Sequence, residues 1–223
     1  MPALAAAHFT ATTGEPVERE ARVAWPNDSL PGLLDRWVER FDPEMVVFVV
    51  NVFWFAFESV PLKLERRFGR LARPFTNAGR SVAAKPWPGE TRGFRLVRKV
   101  ALRTIGGATY FTSDEVLRVT EECIKVVLAR ESTALVIRGP WSVLGEDGGQ
   151  DGLRAAEKRR LTVNAGLETL CRRYQVEYVG RAGTLSMDEW KAVSRGDGLH
   201  VNAAGHRERG EAEGAAMVRA WRG

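Results

Sequence analysis

The chain has 223 residues and a formal net charge of +5 at pH 7, with 44% hydrophobic and 27% charged residues. That composition suits one sizeable core and excludes collagen-like, disordered and disulfide-scaffold classes. No apolar run reaches the roughly 20 residues a membrane span requires, and no basic segment leads into an apolar core at the start, so no signal peptide is expected.

In chain order, residues 3–12 followed by Thr13-Gly14-Glu15-Pro16 read as the tail of a helix, its glycine stop and a turn into a strand. Four short β-branched runs follow, at 17–25, 45–50, 134–138 and 176–179. Helical patterns separate them. Ser29 reads as the N-cap of a helix over 30–41, with Pro31 in its first turn. A second helix over 113–130 repeats Val116, Val119, Cys123, Val126 and Val127 on one face. A third, over 152–174, does the same with Ala156, Val163, Leu167 and Leu170, and a last helix over 203–221 closes the chain. Strands alternating with helices predict an α/β fold with a mostly parallel sheet covered on both faces. Ligands of such sheets bind beyond the carboxyl ends of the strands.

Residues 59–107 fit this plan least, being rich in Arg, Gly and Pro without a clear strand. They read as a largely helical insertion into a single domain, placed as a lid near the strand ends. The densest basic run, Arg92, Arg95, Arg98, Lys99 and Arg103, lies there. Apolar residues interleave it and stacking aromatics are missing, so it reads as a solvated helix face, and no nucleic-acid partner is expected. Cys123 and Cys171 have no metal spacing and read as reduced core residues of a cytoplasmic protein. The sequence has no phosphate loop, metal cluster or dinucleotide fingerprint, and no cofactor is expected.

The chemistry-bearing stretch is Gly196-Asp197-Gly198-Leu199-His200-Val201-Asn202, just before the last helix. A carboxylate three residues before a histidine can accept from its ring N–H, fix the tautomer and leave the other nitrogen as a base. Asp197, His200 and the following Asn202, Gly205 and His206 resemble the last block of the SGNH/GDSL esterase–lipase family. Pro26-Asn27-Asp28-Ser29 resembles that family's second block, with Asn27 where the oxyanion-binding glycine normally stands. The run ending at Asn51 resembles the third strand and its oxyanion-hole asparagine.

The resemblance implies a flavodoxin-like three-layer α/β/α domain, with His200 as base, Asp197 as its orienting acid, and Asn51 and Asn27 as oxyanion donors. It implies hydrolysis of a small acyl ester by a serine nucleophile. The family's Gly-Asp-Ser block has no counterpart before residue 17, and Asn27-Asp28-Ser29-Leu30 is the nearest match. Spacing argues against Ser29. The stretch from Ser29 to Asn51 holds one helix and one strand, whereas the family places a further βαβ unit of about 30 residues there.

A chain starting inside a helix reads as cut, so the first strand and its serine are expected upstream of Met1 or lost. Loss of a central strand would expose edges that favour homo-oligomers. The alternative is a non-catalytic binding or scaffold protein retaining the fold.

Overall fold

The computed structural model describes residues 2–24, 27–69, 100, 104, 107–141, 151–195 and 201–222. Helix α1 (Pro2–Thr13) ends where expected, with Gly14 at φ 80°. Helix α2 (Leu30–Phe41) buries Leu34 and Val38 one turn apart. It stops at Asp42, a left-handed residue whose N–H returns to the Val38 carbonyl.

Three parallel strands form one open sheet in the order β1 (Met45–Val49), β2 (Ala134–Arg138), β3 (Glu177–Val179). Val47 pairs with Val136, and Ile137 with Tyr178. Parallel neighbours need long crossovers, and helices supply them. Helix α3 (Val60–Phe68) and α4 (Ser113–Leu128) lie between β1 and β2, and α5 (Asp151–Tyr174) between β2 and β3. After β3 come α6 (Met187–Val193) and α7 (Ala203–Arg222).

Alternation along the strands sends side chains to both faces, and each face has its own core. Val46, Phe48, Leu135, Ile137 and Tyr178 join α2, α4 and α5 in the larger one. Met45, Val47, Val136 and Val179 join α1 and α7 in the smaller. The molecule is therefore an α/β protein with helices on both faces of a parallel sheet. Among the described residues, no helix is long and apolar enough to cross a membrane.

Helix α4 begins with a capping box: Thr112 Oγ1 accepts from the Glu115 N–H and the Glu115 carboxylate accepts from the Thr112 N–H. That hydrogen bond holds the Glu115 carboxyl below its ordinary range. Its buried stripe runs Val116, Val119, Cys123, Ile124 and Val127, each at 0–1% exposure. Burial of each such aliphatic side chain contributes about 1.5–3 kcal/mol.

The strand expected over 17–25 does not form. Residues 17–24 join no sheet, and Trp25 lies outside the described residues. The ends of this segment pack on opposite faces, Val17 with α1 and α7 and Ala24 with α2, α4 and α5. Between those ends the chain is charged and exposed, with Arg22 paired to Glu20, and offers no apolar side to lay beside β1.

The region read as an insertion is pinched at its base. Ser59 and Ala108 form an antiparallel bridge, N–H to carbonyl in both directions at 2.8 and 3.1 Å. Inside it, α3 is capped by Ser59 Oγ accepting from Leu62 N–H. The basic run 92–103 falls outside the described residues but for Val100.

Candidate functional site

Helix α7 runs along the sheet in a direction that two ion pairs fix. Glu213, in its middle, reaches Arg138 at the carboxyl end of β2, while Arg219, further along, reaches Glu177 at the start of β3. Its N-terminus therefore lies at the carboxyl ends of the strands, where ligands of open α/β sheets bind.

Asp197 and His200 fall in residues 196–200, outside the described residues. Their anchors are described. Ser194 and Val201 form an antiparallel bridge across the segment. Asn202 caps α7, its Oδ1 accepting from Gly205 N–H at 3.0 Å and its Nδ2 donating to the Ala192 carbonyl at 2.7 Å. The helix start read from the sequence is thus made by Asn202.

Asn27 and Ser29 lie at the same end of the sheet as Asn51, because α2 leads antiparallel into β1. Ser29 does not cap α2 with its side chain. Ser29 stands at the cap position, and Asn27 closes the turn before it: its Oδ1 accepts from Ser29 N–H at 2.9 Å and from the Ser29 hydroxyl at 2.6 Å. Both side chains are exposed, and no base engages Ser29 among the described residues. Asn51 is likewise exposed. Its Oδ1 accepts from Phe53 N–H and caps a 3-10 turn (Val52–Trp54), which leaves its amide N–H groups as donors. The aromatic run beyond it is divided. Trp54 and Phe55 are core, and Phe53 and Phe57 stack at the rim with centroids 5.1 Å apart.

The sequence reading missed a buried polar layer at this end of β2 and β3. Glu157, Arg160 and Asn164 share one face of α5 and are 5%, 0% and 2% exposed. Arg160 donates to Glu157 and to the Arg181 and Gly183 carbonyls, and Asn164 Nδ2 donates to the Pro140 and Arg181 carbonyls. These bonds clamp the loop after β3 to the loop after β2. A Cβ on Gly139 would lie 2.4 Å from the Tyr178 hydroxyl and 2.7 Å from Asn164 Oδ1. Both oxygens are buried without a partner. Burial pushes the Tyr178 hydroxyl well above the ordinary phenol range, so it stays protonated as a donor. Polar residues three and four apart inside an otherwise apolar helix face were the available signal.

Across the sheet, Arg138 Nη1 donates to Glu213 Oε2 at 2.8 Å. One turn before Glu213 on α7, the Arg209 guanidinium lies over the Trp141 ring, 5.0 Å from its centroid. Burial, then the nearby Arg138 charge, push Arg209 down to about 10 from an ordinary 12.5. His206 is half-buried with Nδ1 enclosed and unpartnered among the described residues. Burial, then the charges of Arg209 and Arg195 among others, lower its pKa. Ser142 lies outside the described residues.

No family model, curated protein or solved structure matches this chain. Function must be argued from these groups. Among the described residues, no cluster of three or more His, Cys, Asp or Glu side chains could hold a metal ion.

Proposed function

We propose that this chain carries an SGNH-like hydrolase fold and acts on small acyl esters, with His200 as the base and Asp197 orienting its imidazole. The supporting observation is the layering: α1 and α7 share one face of a parallel β1-β2-β3 sheet, and α2, α4 and α5 share the other. A flavodoxin-like sheet of order 2-1-3-4-5 has this distribution, with β1, β2 and β3 here standing as its third, fourth and fifth strands. Ser194 and Val201, which flank the segment holding Asp197 and His200, are joined by an antiparallel bridge before α7.

In this chemistry a serine attacks the acyl carbonyl, His200 takes its proton and returns it to the leaving group, and Asn51 donates to the oxyanion. Ser29 can serve only by releasing Asn27, which now accepts its hydroxyl proton. That observation favours a second reading, a non-catalytic binding module on the same fold.

Fluorophosphonate labelling with peptide mapping separates the two. The hydrolase reading expects one serine to be labelled, p-nitrophenyl acetate to be turned over, and both to be lost in His200→Ala. A folded protein that neither labels nor turns over supports the binding module and ends the hydrolase reading.

A further inference from the structure

The carboxyl end of β2 carries buried hydrogen-bond donors that nothing in the described structure accepts. Trp141 Nε1 is enclosed and without a partner. The Arg209 guanidinium covers the same indole and has no hydrogen-bonded or ion-paired acceptor among the described residues. Native proteins rarely leave such groups unpaired, because an unmet buried donor costs about 1–3 kcal/mol and a charged one more. The carboxylates nearby are engaged elsewhere. Glu213 accepts from Arg138, and Glu208, one residue before Arg209, is paired with Arg181.

We infer that Arg209 and Trp141 form a subsite for a small oxyanion, a carboxylate, phosphate or sulfate on a soluble ligand. A guanidinium fork and an indole N–H match the acceptor-rich edge of such a group, and neither can accept a hydrogen bond itself. The neighbouring Arg138 charge opposes that of Arg209, and the carboxylates beside them, Glu213 and Glu208, are held by Arg138 and Arg181. The stack on Trp141 holds the guanidinium plane in place, so little side-chain freedom is left to lose on binding. The subsite stands on these groups and not on the hydrolase reading. Combined with that reading, it makes the substrate an ester that carries an acid group.

The test is titration with sodium acetate, phosphate and sulfate at constant ionic strength, read by the indole N–H resonance of Trp141, assigned by its loss in Trp141→Phe. Saturable movement of that resonance with at least one ion is expected, and the ion that saturates tells carboxylate from tetrahedral ligands. Arg209→Gln should weaken the affinity tenfold or more. Arg172→Gln, at an exposed position on α5, should leave it unchanged. Where Arg209→Gln fails to fold, Arg209→Lys keeps the charge and loses the fork, and should still weaken binding several-fold. A Trp141 resonance that none of the ions moves overturns the subsite. So does unchanged affinity in a folded Arg209 variant, or equal weakening by Arg172→Gln. Hydrolysis is not measured, so a failure here and a failure of the esterase reading remain distinct.

Discussion

Glu213, 3% exposed in the middle of α7, accepts a hydrogen bond from Arg138 at the carboxyl end of β2. The pair ties the last helix to the central strand. Removing one partner of a buried pair strands the other charge, whereas replacing both with apolar groups is often neutral. Glu213→Gln should therefore cost about 3 kcal/mol in urea unfolding followed by circular dichroism. Glu213→Leu with Arg138→Met should recover most of that loss. A single variant within about 0.5 kcal/mol of wild type would show that the pair contributes nothing net.

The crossing of α1 and α7 depends on small residues. A Cβ on Gly214 would lie 2.7 Å from His8 Cβ and 2.8 Å from the Ala5 carbonyl oxygen. Helix propensity favours alanine by about 1 kcal/mol, and the overpacking penalty of about 1–3 kcal/mol exceeds it. Gly214→Ala should lower the unfolding midpoint. Gly32→Ala on α2, where the nearest atom is 4.0 Å away, should raise it. Equal effects from the two would mean the helices separate freely.

The Asn27 side chain, rather than the Ser29 hydroxyl, holds the turn into α2. Asn27→Ala should destabilise by about 1 kcal/mol, the usual loss for a cap, and Ser29→Ala by less than about 0.5 kcal/mol. The reverse order in thermal unfolding would assign that role to the Ser29 hydroxyl.

Burial pushes the Cys123 and Cys171 thiols up to about 12 from an ordinary 9.0. Neither should react with Ellman's reagent at pH 8 until the protein is unfolded, because the thiolate is the nucleophile. Linkage sets the sign. Unfolded thiols lose protons above pH 9 while the folded ones keep them, so this contribution is complete below pH 9 and is lost between pH 9 and about 12. Rapid labelling of the native protein at pH 8 would place the thiols outside the core.

Local patterns were enough for α1, α2, α4, α5 and α7 and for three of the strand runs, while the short α6 was not read. Leu30, Leu34 and Val38 at helical spacing and the β-branched runs at 45–49 and 134–138 each carry their own period, which neighbouring residues alone impose. The run at 17–25 has the same local look but forms no strand over its described residues, because pairing requires a partner edge and its middle, with Arg19, Glu20 and Arg22 exposed, lies in solvent. Ser29 takes the cap position of α2 as read, but its hydroxyl donates to Asn27 Oδ1 rather than accepting from the helix, which only the folded turn decides.

The sequence by itself determined the alternating α/β order and the buried stripes of α2 and α4. Tertiary structure alone decided that Arg160 and Asn164 meet the carbonyls of Arg181 and Pro140, that Arg138 meets Glu213, and that Arg209 lies over Trp141. The residues of those long-range contacts lie on different elements, up to 75 positions apart for Arg138 and Glu213. No local period encodes such a meeting. It exists only once the sheet and its crossovers have placed the carboxyl ends of β2 and β3 beside the first turns of α7.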